Sequence, residues 1–301
     1  MNTKLYSETT IDIVALPKLG EPVLDKQFTI TNPLQYEKFN HKLIYTLGCL
    51  KALNFNHISF IGKDLDSISE EEAYNLLWHE SIPDSDLTFQ RLRKLCRKGV
   101  IVPWRSWDTN WILTRHTRKT PVKKKGAFYF LGRQGRKWLK RRYAFSVPPV
   151  PVEELYLTGF PLSRWLSASS CALTLEQEGW KLVPINQAWQ KRTDTPSPLV
   201  RPDFIVVKEK IAAFYLFDSP FGLRSEFLAA HVSRGLNFLS SDSIAVILTH
   251  TKEAFTKLMN KLENGSISEN KNRIFVGGLE FFQKSRGHCK LTNSDGETIV
   301  L

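Results

Sequence analysis

Between Arg91 and Arg142 the chain carries 18 lysines and arginines against one acid, Asp108. That stretch alone holds +17 while the whole chain holds +12, so the remainder carries −5. Charge at this density has to stay in water, so each element of the stretch can turn only one side inward. The concentration also makes a field that draws a polyanion, and nucleic acid is the commonest candidate. The competing reading is a solvated basic face with no partner.

Periodicity gives the stretch a layout. Upstream, PLQYEKFNHKLIYTLGCLKAL opens on Pro33, a good first-turn residue. Phe39, Leu43, Leu47, Leu50 and Leu53 recur at steps of three and four, which predicts an amphipathic helix. HISFI follows as a short apolar run. Asp66, Ser67 and Ser69 precede EEEAYNLLWHE, which reads as a capped helix with acids in its first turn. A third helix is expected from about Ser85 to Lys98, closed by Gly99. The period then changes. VIVPW starts a strand, NWILTRH reads as a strand, RKTPVKKKG as a turn-rich basic loop and AFYFLG as a second strand. RQGRKWLKRRYAF is a basic helix. Three helices, strand, loop, strand and helix is the order of a winged helix-turn-helix with a closing helix.

The third helix presents Thr88, Gln90, Arg91, Arg93, Lys94, Arg97 and Lys98, with Leu87, Leu92 and Leu95 facing inward. Glutamine and arginine have the forks that match purine edges in a major groove. Thr88, Gln90, Arg91 and Lys94 are therefore assigned to the groove, and Arg97 and Lys98 to phosphate. Arg118, Lys119, Lys123, Lys124 and Lys125 form the wing, along the backbone or in the adjacent minor groove. On the closing helix, spacing puts Arg133, Arg136, Lys137 and Lys140 on one side. Those are phosphate contacts and carry no sequence information directly.

The rest of the chain bounds the answer. Eight Trp and 19 Phe are enough to build cores. No apolar run approaches the ~20 residues of a membrane helix, and the first residues lack the apolar core of a signal peptide, so an intracellular, cytoplasmic protein without a membrane partner is expected. Cys49, Cys96, Cys171 and Cys289 lie far apart with no C-x-x-C pair, which argues against zinc and against a disulfide framework. There is no G-x-S-x-G and no phosphate-binding G-x-x-x-x-G-K. The prolines of SVPPVPVEE, residues 146 to 154, mark a semi-rigid linker. The expected division is an extension able to form a small β element (1–32), the winged helix (33–145), the linker (146–154) and a second domain (155–301).

That second domain begins with a helix, PLSRWLSASSCALTLEQEGW, and a strand-like KLVPINQAW. RPDFIVV and IAAFYLFD flank the short turn KEK and read as a hairpin of buried strands. SEFLAAHVSRGLNFL is a helix, DSIAVILTH a strand, KEAFTKLMNKLEN a helix and NRIFVGGLEFF a last strand. The order α, β, β, β, α, β, α, β makes an α/β unit with a mixed sheet.

Arg201-Pro202-Asp203 ahead of a hairpin, with an acid near the end of the next strand, resembles the restriction-endonuclease-like fold. More narrowly, residues 40 to 250 resemble the replication-relaxation family of plasmid and conjugative-element proteins. Its members join a winged helix, with a strand-then-glycine ending like YFLGRQGRKWL, to a second domain carrying an RPD strand. The resemblance implies an α+β protein: an N-terminal winged helix-turn-helix followed by an α/β restriction-endonuclease-like domain with a mixed sheet. It also implies where Mg²⁺ would sit in an active nuclease: on Asp203 and Asp218, supplemented by Glu226. This chain departs from that pattern. Leu216 stands where the family usually has an acid, and Asp218 is followed by Ser219 and Pro220 rather than by a lysine. Hard cations need several oxygen ligands, so an inactive domain with no cofactor is expected, and Asp203 is expected to cap a strand end or pair with Arg201.

The first reading is thus a DNA-binding accessory protein of a mobile element, acting in mobilisation, replication or transposition. Its partners would be double-stranded DNA and other protein subunits of such a complex. The alternatives are a metal-dependent nuclease with a degenerate site, and a winged-helix transcriptional regulator.

Overall fold

The computed structural model describes residues 34–63, 68–78, 86–105, 127–144, 146–147, 160–188, 200–217, 225–264 and 269–301. The amphipathic stripe beginning at Phe39 forms helix α1 (Leu34–Cys49), with Phe39, Leu43 and Leu47 buried. Leu53 leaves it for a two-residue strand, β1 (Leu53–Asn54). The run HISFI is helical, within α2 (Phe55–Ile61), so four helices rather than three precede the next strand. Its sequence hides this because Asn56 through Ile61 are all buried and no polar face breaks the run. A capping box starts it: the Asn54 side chain accepts the His57 N–H at 2.8 Å, and His57 Nδ1 accepts the Asn54 N–H at 3.3 Å.

Helix α3 (Glu70–Trp78) begins as expected, with the Ser69 hydroxyl accepting the Glu72 N–H. Helix α4 (Asp86–Arg97) buries Leu92 and Leu95 and ends at Gly99, whose φ of 64° is the left-handed conformation glycine adopts freely. Strands β2 (Ile101–Arg105) and β3 (Ala127–Leu131) pair antiparallel from Ile101 opposite Leu131 to Arg105 opposite Ala127. Strand β1 flanks β3 on the other side, giving the order β1-β3-β2, and α5 (Arg133–Tyr143) follows. The expected N-terminal β element, the strand NWILTRH and the basic loop RKTPVKKKG lie outside the described residues.

After α6 (Phe160–Gln177), a second sheet is built from β4 (Lys181–Val183), β5 (Phe204–Val207), β6 (Ile211–Phe217), β7 (Ile244–Thr249), β8 (Ile274–Gly278), β9 (Lys290–Thr292) and β10 (Thr298–Val300). Helices α7 (Ile185–Ala188), α8 (Ser225–Leu236), α9 (Lys252–Asn264) and α10 (Leu279–Lys284) connect them. The order is β10-β9-β8-β7-β6-β5-β4, parallel across β6-β7-β8 and antiparallel elsewhere. The molecule is therefore α+β with a mixed sheet. Two segments differ from expectation. KLVPINQAW splits after Val183 into a short strand and a helical turn, and NRIFVGGLEFF leaves the sheet at Gly278 to become α10, with the hairpin β9–β10 beyond it.

Alternate residues of the central strands serve two cores. Phe204, Val206, Phe214, Leu216, Val246 and Leu248 join one cluster, whereas Ile205, Val207, Tyr215, Phe217, Ala245 and Ile247 join another with α8 and α9. Burial on both faces explains why these strands read as unbroken apolar runs. The first cluster continues without interruption into α1, α3, α4 and β3. Helix α6 stands at that junction. Ser169 Oγ donates to the Ala52 carbonyl at 2.6 Å, and Trp78 Nε1 donates to Thr174 Oγ1 at 3.2 Å. Nearby, the Tyr45 hydroxyl of α1 donates to the Leu182 carbonyl of β4 at 3.1 Å. The two sheets thus share one core across residues 146–154.

Candidate nucleic-acid interface

Helix α4 sorts its side chains by face. Leu92 and Leu95 go inward, and Gln90, Arg93, Lys94, Arg97 and Lys98 are exposed. Those five recur at steps of three and four, so they form one polar stripe over two turns. Arg91 is the exception. It is half-buried, and its guanidinium lies 5.4 Å from the centre of the Phe39 ring on α1. That contact packs the residue's helix onto α1. Thr88 lies on the first turns of α4, but its side chain is outside the described residues.

Helix α5 repeats the pattern. Arg133, Lys137, Lys140 and Arg141 are exposed, while Gly135, Leu139 and Tyr143 are buried. Arg136 is half-buried and donates through a terminal guanidinium nitrogen to the Leu131 carbonyl at 2.8 Å. Arg142 is turned over Trp138, 5.6 Å from that ring. Arg93 and Arg141 are exposed cations that the sequence reading did not select. Their signal was present in the three- and four-residue spacing.

Three glycines bring the two helices together. The α5 N-terminus has no side-chain cap; its amides are satisfied by the chain leaving α4. Gly132 N–H donates to the Val100 carbonyl at 2.8 Å and Gln134 N–H to the Gly99 carbonyl at 3.1 Å. A Cβ on Gly132 would lie 2.3 Å from the Gly99 carbonyl oxygen, and one on Gly135 would lie 2.5 Å from that of Val100. Only bare backbone permits this approach, which gives GRQG a physical meaning. The backbone that follows Arg97 and Lys98 thereby meets the backbone on either side of Arg133. The wing residues Arg118, Lys119, Lys123, Lys124 and Lys125 lie in the segment between β2 and β3, outside the described residues.

Ion pairs elsewhere engage Glu72 with Lys63, Glu70 with Arg286, Glu253 with Lys257, Glu280 with Lys284 and Asp295 with Lys271. Within the described residues no ion pair involves Arg93, Arg97, Lys98, Arg133, Lys137, Lys140 or Arg141.

The carboxylate of Asp203 behaves oppositely. It sits just before β5, 8% exposed, where its N–H donates to the Phe214 carbonyl at 2.7 Å. One oxygen accepts the Leu216 N–H at 2.8 Å and the Arg164 guanidinium at 2.8 and 3.3 Å. The expected ion partner, Arg201, is exposed; the arginine that reaches Asp203 is Arg164 of α6, 39 residues upstream. No local spacing announces such a pair. A guanidinium in that position takes the place a metal cation would need and repels one. Leu216 contributes its backbone N–H and a buried apolar side chain. Asp203 therefore does not fit a metal ligand. Asp218 and the Glu226 side chain lie outside the described residues, and among the described residues no three acids, histidines or cysteines gather at a metal-binding distance.

One buried serine and histidine meet, and their hydrogen bonds settle their role. His57 Nδ1 accepts from the Asn54 N–H, so the neutral ring carries its proton on Nε2 and donates it to Ser170 Oγ at 2.9 Å. Ser170 in turn donates to the Leu77 carbonyl at 2.6 Å. The proton direction is the reverse of what a general base needs, and both residues are sealed in the core. Burial lowers the His57 pKa to about 3. The cysteines are also inert: all four are unpaired, and burial pushes the Cys96 and Cys289 thiols up to about 12.

No helix among the described residues is long and apolar enough to cross a membrane. Set against known proteins, the chain matches no family model and no curated protein.

Proposed function

We propose that this chain is a DNA-binding accessory protein that holds duplex DNA against the surface formed by α4 and α5. The carrying observation is the row of exposed cations on each helix, with the start of α5 hydrogen-bonded to the chain leaving α4 and no carboxylate paired to Arg93, Arg97, Lys98, Arg133, Lys137, Lys140 or Arg141 among the described residues. Like charge held in one place costs self-repulsion, which a polyanion relieves. In this reading α4 is the groove helix of a winged helix, β2 and β3 carry the wing, and β1 completes its sheet. Phosphate contacts come from Arg97, Lys98, Arg133, Lys137 and Lys140. The seven-stranded half is a nuclease-like scaffold whose lead acid is held by Arg164, and it serves as a docking module for other subunits. Membership of the replication-relaxation family, and with it a role in a mobile element, rests on the sequence resemblance.

The test is binding of a 30-base-pair duplex followed by fluorescence anisotropy across a salt series. With six phosphates neutralised, log affinity should fall against log salt with a slope near −5. A slope near zero would overturn the reading. Supercoiled plasmid incubated with Mg²⁺ should stay intact; nicking abolished by Asp203→Ala would instead restore the nuclease.

A further inference from the structure

We infer that Arg93, not Arg91, is the arginine through which α4 distinguishes one DNA sequence from another. The inference rests on the DNA-binding reading above and adds which side chain reads. Arg91 and Arg93 are two residues apart, about 200° around the helix, so they cannot serve one face. The structure divides them. Arg91 has its guanidinium over the Phe39 ring, 5.4 Å from its centre, and is half-buried against α1. Drawing it out to a base edge would forfeit that cation–π contact and uncover Phe39, which is now 5% exposed. Arg93 is exposed, three residues after Gln90 and four before Arg97 on the same stripe.

Position along α4 then separates reading from holding. Arg97 and Lys98 sit at its last turn, beside the α5 N-terminus and its Arg133. There, next to the start of α5, they are placed with its exposed cations as phosphate contacts. Gln90 and Arg93 lie one to two turns earlier, away from that junction. Both have planar forks that pair bidentately with a purine edge, glutamine with adenine and arginine with guanine. Lysine cannot replace arginine in that geometry although it keeps the charge.

That last property makes the test. A duplex selected by the wild-type protein from a random-sequence pool is compared with a shuffled duplex of the same composition, and the ratio of the two Kd values is the readout. Arg93→Lys should lower that ratio at least about tenfold while leaving the shuffled-duplex affinity and the salt slope unchanged. Arg91→Ala should lower Tm and leave the ratio intact. Discrimination kept in both Arg93→Lys and Arg93→Ala, with the alanine variant weaker on both duplexes alike, would make the residue a phosphate contact and overturn the inference, and so would loss of the ratio in an Arg91→Ala protein of unchanged Tm. A wild-type protein that binds both duplexes equally sinks the inference and leaves DNA binding standing. One that binds neither sinks both.

Discussion

On α6 the guanidinium of Arg164 lies against the Asp203 carboxylate, whereas on α4 and α5 the side chains of Arg93, Arg97 and Arg133 face water with no carboxylate paired to them among the described residues. The residue type is the same and the physical situation is opposite. In the first region an acid is buried, and the arginine is the cation that makes its burial tolerable. The energy of that pair goes into holding α6 to the β5–β6 hairpin, and little electrostatic field escapes. In the second region no described carboxylate pairs with Arg93, Arg97 or Arg133, so their field reaches solvent. A count of arginines cannot separate these cases. What separates them is whether an acid is brought alongside, and that depends on contacts far apart in the chain.

The largest effect should come from breaking the compensated pair. Arg164→Ala leaves a carboxylate that is 8% exposed with one backbone N–H in place of a cation. About a third of the Arg164 side chain faces water, so the loss belongs at the low end for buried pairs, about 3 kcal/mol in urea unfolding. Asp203→Asn keeps an acceptor for the Leu216 N–H and should cost less. If both substitutions leave stability unchanged, the pair is ornamental and the contrast with α4 disappears.

Next in size is the backbone junction between α4 and α5. Gly132→Ala places a methyl group 2.3 Å from the Gly99 carbonyl oxygen. The backbone there must shift, at about 2 kcal/mol by the usual cost of overpacking. Because the shift separates α5 from the end of α4, duplex affinity should fall as well. Gly296→Ala is the control for a surface glycine: its Cβ meets nothing within 4 Å, although its φ of 79° adds local strain. It should lose some stability without losing DNA.

Between those sites lies the neutral contact of His57 with Ser170. His57 is held with a pKa of about 3 against an ordinary value of 6.5. Above pH 6.5 both folded and unfolded chains carry it neutral, and its contribution is fully present. As pH falls through 6.5 toward 3 only the unfolded chain takes up the proton, so stability is lost at up to about 1.4 kcal/mol per pH unit. Urea unfolding at pH 6.5 and 5.5 measures that slope. His57→Gln should flatten it, and an unchanged slope would place the acid sensitivity elsewhere.

How much of this was legible in sequence follows from the same distinction. The hairpin RPDFIVV–IAAFYLFD, the C-cap at Gly99 and the N-cap at Ser69 were readable because local chemistry dictates each of them. Helix α2 was missed because complete burial erased its polar face. Strand β1 is two residues long and exists only because β3 supplies its partner. The basic stretch pointed to a surface, but it could not show that Arg91 would be drawn onto Phe39 or Arg136 onto the Leu131 carbonyl. Arg201 stands two residues from Asp203 and looked like its partner, yet the helix that packs on the sheet brings Arg164 instead. Strand β1, Arg91 and Arg164 each involve a contact across the fold, whereas the Arg136 bond spans only five residues.

The smallest effects on stability should come from the exposed cations, and there the comparison is at its sharpest. Arg97→Ala and Lys137→Ala remove side chains that are exposed and paired to no carboxylate among the described residues. Unfolding free energy should change by no more than about 0.5 kcal/mol. If each residue neutralises one phosphate, each substitution should still reduce the magnitude of the log-affinity against log-salt slope by about 0.9, and the double variant by about twice that. A residue that matters to the fold and one that matters to a polyanion would then separate on two axes: Arg164 moving stability with little change in the slope, Arg97 and Lys137 moving the slope with little change in stability. Should Arg97→Ala and Lys137→Ala leave the slope where it was, the stripe is only a solvated face, and the charge concentrated between Arg91 and Arg142 would need another explanation.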